Sequence, residues 1–156
     1  ANTLMIFCSF ESEINTKGVI RCSLDNGKRV VVPKISLQPK CLLLSELKDY
    51  EKDLEMSPPY GILEPPWSRM RPICPAELEL IIVPGVVFDR EGGRIGYGAG
   101  FYDRFFEKVP TNTWRVALAF DLQVIDRVPV ELHDQFIDIL VSEKEVLYFK
   151  RQQVNG

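Results

Sequence analysis

Arg94 stands in a run that an ordinary core element would not carry: Gly92, Gly93, Gly96, Gly98 and Gly100 fall within nine positions, half of the chain's 10 glycines. A glycine backbone can turn successive N–H groups toward one point, and such a nest attracts anions. A guanidinium adds a planar fork that matches phosphate or carboxylate oxygens. Asp103 follows, in the first turn of a helix predicted over residues 101–109 from Phe101, Phe105 and Phe106. Free N–H groups and the dipole at that end favour phosphate or carboxylate, and an acid there also suits a helix on stability grounds alone. The Gly-x-Gly-x-Gly spacing matches neither the dinucleotide fingerprint nor the phosphate loop that ends in Gly-Lys-Ser/Thr. Two readings stand: an anion cradle, or a long hairpin or crossover loop whose glycines make tight turns.

Asp138 lies in a strand predicted over 136–141, where an ionised side chain is costly unless paired or metal-bound; the other reading is an exposed position on a half-buried strand. Glu13 falls where a strand gives way to a helix and suits a first turn beside the dipole. His133, the only histidine, sits beside Asp134 and could titrate near neutral pH; we read it as stabilising its loop and assign it no catalysis.

Around these residues the apolar pattern sets the frame. Residues 80–88 read as a strand covered on both faces, with Pro84-Gly85 bending it or ending and restarting it. Residues 4–8 read as a first strand, and Ile14, Val19, Ile20 and Leu24 then fall at helical spacing up to the stop Asn26-Gly27. A strand over 29–34 ends at Pro33, Leu42-Leu43-Leu44 marks another apolar run, and 45–55 reads as a solvated helix or loop. Six of the 11 prolines fall in 58–75, a stretch expected to be largely irregular, with Trp67 pinning it to the core. Further strands are expected at 114–120 and 145–150. Strands alternating with helices give an α/β sheet with parallel pairs and helices on both faces.

The bulk properties fit one domain over residues 1–156. Hydrophobic residues make up 46% and charged residues 26%, which excludes a disordered chain. A net charge of −3 argues against nucleic acid as the main partner. No run reaches the ~18 apolar residues of a membrane span, no secretory signal pattern opens the chain, and Cys8, Cys22, Cys41 and Cys74 lack metal-ligand spacing. A cytoplasmic protein with reduced cysteines is expected.

Pro84-Gly85-Val86-Val87-Phe88-Asp89 followed by Gly93-Arg94-Ile95-Gly96-Tyr97-Gly98-Ala99-Gly100-Phe101-Tyr102-Asp103-Arg104 resembles the signature of the 5-formyltetrahydrofolate cyclo-ligases, or methenyltetrahydrofolate synthetases. Three further blocks are similar to that family's: Ser9-Phe10-Glu11-Ser12-Glu13-Ile14-Asn15-Thr16, Tyr60-Gly61-Ile62-Leu63-Glu64-Pro65, and His133-Asp134-Gln135-Phe136-Ile137-Asp138 with Val141-Ser142-Glu143. The resemblance implies an open three-layer α/β sandwich of the sugar-phosphate isomerase and coenzyme A transferase kind. It implies an ATP- and Mg2+-dependent closure of 5-formyltetrahydrofolate to 5,10-methenyltetrahydrofolate, by a monomer or weak homodimer without nucleic acid or membrane. A non-catalytic folate- or nucleotide-binding homologue is the alternative.

The resemblance also implies roles. Arg94 and Tyr97 are the catalytic candidates. Arg94, Ile95, Gly96, Tyr97, Gly98, Ala99, Gly100, Phe101 and Tyr102 are placed at ATP. Glu13, Tyr60, Tyr97, Gly98 and Gly100 are placed at the folate, with Tyr60 stacking on the pterin, and Asp103 and Asp138 at magnesium. Three positions depart from the family pattern: Ala99 where lysine is common, Phe101 for tyrosine and Ser142 for threonine. The family's basic N-terminal helix is missing from this sequence, so Arg94 is expected to carry an unusual share of the positive charge.

Overall fold

The computed structural model describes residues 1–9, 14–58, 61–96, 100–129 and 135–149. In chain order the elements are β1 (Thr3–Ile6), α1 (Lys17–Asp25), β2 (Arg29–Leu37), β3 (Lys40–Leu47), α2 (Tyr50–Asp53), β4 (Glu55–Ser57), β5 (Ile62–Glu64), β6 (Leu80–Val83), β7 (Val87–Asp89), β8 (Arg94–Ile95), α3 (Phe101–Phe106), β9 (Trp114–Leu118), β10 (Val124–Ile125), β11 (Ile139–Val141) and β12 (Val146–Tyr148). Seven strands form the central sheet in the order β12-β11-β9-β6-β1-β2-β3. Neighbours from β11 to β2 run parallel, and the antiparallel β12 and β3 close the edges.

Period-two alternation divides the strand residues between two cores. Met5, Val31, Ile81, Val83, Ala117 and Leu140 point to one face, where Phe105 and Phe106 of α3 cover them. Ile6, Val30, Val32, Ile82 and Val116 point to the other, beneath Ile20 of α1. A sheet buried on both sides explains why these strands read as unbroken apolar runs. The expected α/β sandwich is the observed one.

Several local expectations give way to tertiary context. Strand β2 does not end at Pro33 but runs on to Leu37, because pairing with β1 stops at Val31 and no strand on that side asks for the missing N–H. Residues 45–47 extend β3 rather than starting a solvated segment. The proline-rich stretch contains β5, paired antiparallel to β4. Trp67 does not pin that stretch to the core; it is 66% exposed. Helix α1 stops where Asn26-Gly27 predicts, with Gly27 at φ 73°, although Val19 lies on its exposed side. Asp138 sits just before β11 rather than within it.

Candidate active site

Strand order reverses between β1 and β6. From β1 the chain passes through α1 to β2 on one side; from β6 it passes through α3 to β9 on the other. Connections that diverge this way leave a crevice at the carboxyl ends of the two strands, the usual ligand position in open α/β sheets. Both singled-out loops leave from this point. The first is closed at its base by Thr16, fully buried, whose hydroxyl donates to the Phe7 carbonyl at 2.7 Å and accepts the Ser9 N–H at 3.0 Å. The Thr16 N–H in turn donates to Ser9 Oγ at 3.2 Å. Glu13 falls among residues 10–13, outside the described residues. The clamp that fixes both ends of its loop is a role that sequence reading missed; the pair Ser9 and Thr16, seven apart, carries no periodic signal.

The second loop begins at Pro84-Gly85, where the apolar run leaves the central sheet and restarts as β7. This strand pairs antiparallel with β8 and parallel with β10, forming a separate three-stranded sheet. The connection between β7 and β8 is organised by Asp89. Its buried carboxylate accepts the N–H groups of Glu91 at 2.9 Å, Gly93 at 2.7 Å and Val128 at 2.9 Å. Gly92 adopts φ 89°, and a Cβ at Gly93 would lie 2.5 Å from Asp89 Oδ2. These two glycines are therefore hairpin residues. The hairpin reading holds for this part of the stretch.

Arg94 opens β8, and its side chain reaches back to the Pro84 carbonyl. Its side chain is only 4% exposed. One terminal nitrogen donates to the Pro84 carbonyl at 3.1 Å and the other to Asp103 Oδ1 at 3.2 Å. The guanidinium carbon lies 5.9 Å from the ring centroids of both Tyr102 and Phe106. Among the described residues Nε is buried without an acceptor. Close approach requires the small residues around it: a Cβ at Gly96 would meet a guanidinium nitrogen at 2.8 Å, and one at Gly85 would meet the Phe88 ring at 2.6 Å and Arg94 Cγ at 3.1 Å. Gly100, at φ 69°, turns the chain into α3, a six-residue helix shorter than predicted. That turn sets Asp103 beside Arg94 with 35% of its side chain exposed. Ile95 is exposed on β8, Phe101 and Tyr102 pack partly into the core, and Tyr97, Gly98 and Ala99 lie outside the described residues.

The structure thus joins Arg94, Gly96, Gly100 and Asp103. It does not bring Asp138 to them. Asp138 Oδ2 accepts the Arg115 N–H at 2.9 Å, at the amino ends of β9 and β11. Among the described residues no group of three or more His, Cys, Asp or Glu side chains is arranged to hold a metal. Tyr60 and His133 lie outside the described residues.

Beyond Tyr60 in the chain, Glu64 at the end of β5 is buried against β2. Its Oε1 accepts from Lys34 Nζ at 3.1 Å and its Oε2 from the Ile35 N–H at 3.1 Å, while Lys34 also donates to the Pro65 carbonyl at 2.8 Å. Nearby, burial pushes the Cys8 thiol up to about 12, and the Glu64 carboxylate adds to the effect. Lys34 and Glu64 are 30 residues apart, and sequence reading singled out neither.

The model of the 5-formyltetrahydrofolate cyclo-ligase family matches residues 1–143. This chain belongs to that family. It is 33% identical over 145 residues to the 5-formyltetrahydrofolate cyclo-ligase of Haemophilus influenzae, covering 91% of this chain and 76% of that protein. It is 31% identical over 154 residues to a probable 5-formyltetrahydrofolate cyclo-ligase of Caenorhabditis elegans, covering 94% and 75%. The NMR structure of Aquifex aeolicus 5,10-methenyltetrahydrofolate synthetase superposes with a TM-score of 0.80 at 28% identity, covering 99% of this chain and 75% of that one. The 5,10-methenyltetrahydrofolate synthetase of Mycoplasma pneumoniae shares the fold at a TM-score of 0.67 and 16% identity, covering 89% and 71%.

Proposed function

We propose that this chain is an ATP-dependent 5-formyltetrahydrofolate cyclo-ligase that produces 5,10-methenyltetrahydrofolate. The observation that carries the reading beyond family membership is Arg94: a buried guanidinium whose Nε has no acceptor among the described residues, held at the carboxyl-end crevice against Gly85 and Gly96. A buried donor without an acceptor asks for an explanation, and phosphate oxygens supply one.

The formyl oxygen of the substrate resembles an amide oxygen and leaves poorly as such. It attacks the γ-phosphorus of ATP, and ADP departs. Nitrogen-10 then attacks the activated formyl carbon and loses its proton, and the C–O bond breaks to release inorganic phosphate. Such a sequence asks mainly for positioning and charge neutralisation. Arg94 supplies fixed positive charge, and the glycine backbone from Gly96 to Gly100 lets phosphate approach closely. Tyr97 is assigned to the reacting centre, Glu13 and Tyr60 to the folate, and Ile95, Gly98, Ala99, Phe101 and Tyr102 to the nucleotide side.

Magnesium, when bound, neutralises phosphate charge. Asp103 fits as a hard oxygen ligand because a third of it is exposed beside Arg94. Magnesium takes one or two carboxylates, with phosphate oxygens and water completing its shell. Asp138, assigned to the same ion by the resemblance, lies at the amino ends of β9 and β11 with its Oδ2 accepting the Arg115 N–H, so Asp103 is the ligand proposed here.

We take residues 1–156 as one domain acting as a monomer or weak homodimer in the cytoplasm. Among the described residues no helix is long and apolar enough to cross a membrane. The test is direct: the protein is mixed with ATP, Mg2+ and 5-formyltetrahydrofolate, and the methenyl product is followed by absorbance. Product that depends on ATP is expected. Folate binding without any product, beside an active control enzyme, would overturn the reading in favour of a non-catalytic homologue.

A further inference from the structure

Two glycines in the stretch after β7 each lie against an arginine. A Cβ at Gly96 would meet Arg94 Nη1 at 2.8 Å, and a Cβ at Gly100 would meet Arg104 Nη1 at 3.2 Å. The two guanidiniums differ in setting. Arg94 is buried, with 4% of its side chain exposed, and is paired with Asp103. Arg104 is exposed on α3, and its guanidinium carbon lies 5.5 Å from the Phe101 ring centroid. Helical side chains lean back toward the preceding turn, and the attraction of a cation for a ring face holds Arg104 there, beside Gly100. Formal charge separates the work of the two arginines. Arg94 and Asp103 make a neutral pair, which by itself gives a polyanion no net attraction. Between the two glycines the sequence supplies no cation, only Tyr97, Gly98 and Ala99. Arg104 turns the group of Arg94, Asp103 and Arg104 net positive.

We propose that Arg104 is a phosphate-binding residue, its guanidinium contacting the phosphate chain of ATP at the Gly100 end of the stretch while Arg94 serves the Gly96 end. The inference rests on the proposed ATP co-substrate and adds to it a residue to which the resemblance gives no role. A planar fork of N–H donors suits phosphate oxygens, and an exposed one is reached without moving the core. The Phe101 ring already restrains the side chain, so less rotamer freedom is lost when an anion arrives. The division of labour is physical. The buried arginine supplies a fixed charge of which Asp103 cancels a part, and the exposed one supplies the surplus that draws a polyanion to that place.

Isothermal titration of the full chain with ATP and Mg2+ at low and at high salt, and separately with 5-formyltetrahydrofolate, tests the assignment. Arg104→Met keeps an unbranched stem against Phe101 and removes the charge. At low salt it is expected to weaken ATP binding at least about tenfold and to leave folate affinity unchanged. The loss should shrink at high salt, where the wild-type charge is screened. Arg104→Lys should recover part of the ATP affinity, since it restores the charge without the fork. If Arg104→Met fails to fold, Arg104→Gln decides by the same measurements. Wild-type ATP affinity in the uncharged variant would overturn the proposal. So would a loss of equal size at both salt concentrations, which marks a packing role, or a loss of folate affinity in place of ATP affinity. The two readings separate cleanly. Salt-dependent loss of ATP binding in a protein without turnover would leave the role of Arg104 standing and remove the enzyme activity; ATP-dependent turnover with an ATP affinity indifferent to Arg104 would do the reverse; and absence of ATP binding would remove both.

Discussion

Replacing Asp89 should cost more stability than a surface carboxylate can, because three backbone donors converge on it. Gly93 N–H and Val128 N–H are buried, at 2.7 and 2.9 Å, and Glu91 N–H is part-buried at 2.9 Å. In Asp89→Ala the two buried donors lose their acceptors, at about 1–3 kcal/mol each, while Glu91 turns to water; the sum is about 4 kcal/mol. Asp89→Asn keeps the shape but has one acceptor oxygen. With that oxygen toward Glu91 and Gly93, its NH2 faces the Val128 N–H, donor against donor, and the cost is about 2–4 kcal/mol. Against a total stability of about 5–15 kcal/mol these are large fractions. In urea, with a slope of about 2 kcal/mol per M, Asp89→Asn should lower the unfolding midpoint by about 1–2 M at unchanged slope. ATP affinity should fall as well, because Phe88, next to Asp89, pairs across the hairpin with Arg94. A midpoint shift for Asp89→Asn below about 0.3 M would refute the claim that this carboxylate holds the hairpin.

Two further outcomes follow from the titrating groups. Burial raises the Asp53 carboxyl, but the Arg71 guanidinium and the N–H groups of Lys48 and Asp49 outweigh it and hold the group below its ordinary value. A depressed folded value means stability present above the unfolded value near ~3.9 and lost as pH falls through the folded one; Asp53→Asn should therefore cost about 1–3 kcal/mol at pH 7, a gap that narrows in urea titrations below about pH 3. Cys8, buried and pushed up to about 12, stays a thiol at neutral pH, so a thiol reagent followed by mass spectrometry should modify the exposed Cys22 and Cys74 first and reach Cys8 only on unfolding.

The parts of the fold that could be read directly are those where one face or both are buried along the chain. Leu80 to Val83 announces a doubly covered strand by composition alone, and Asn26-Gly27 announces a helix end by its chemistry. Pro33 misled because a proline rule speaks of a ladder, and the partner on that side of β2 had already ended. Trp67 misled because size suggests burial, whereas its ring rests on an ammonium at the rim of a cleft. Residue type told that Arg94 and Asp103 carry charge. It could not tell that they would face each other, since that depends on Gly96 admitting the guanidinium, Gly85 admitting the Phe88 ring and the Arg94 stem, and Gly100 turning the chain into α3.

That last dependence changes what the glycine stretch is for. Gly92 and Gly93 serve the hairpin that Asp89 ties, and Gly85 and Gly96 make room for an arginine, so the phosphate contact proposed above falls to the rest of the stretch. The stretch is then a device for burying one cation next to one carboxylate at the mouth of the sheet. A buried arginine whose Nε has no partner holds its charge at a cost, and Asp103 offsets only part of it. On the function proposed above, an incoming phosphate would meet a guanidinium already desolvated, and the reorganisation that a solvated lysine would need has been done by folding.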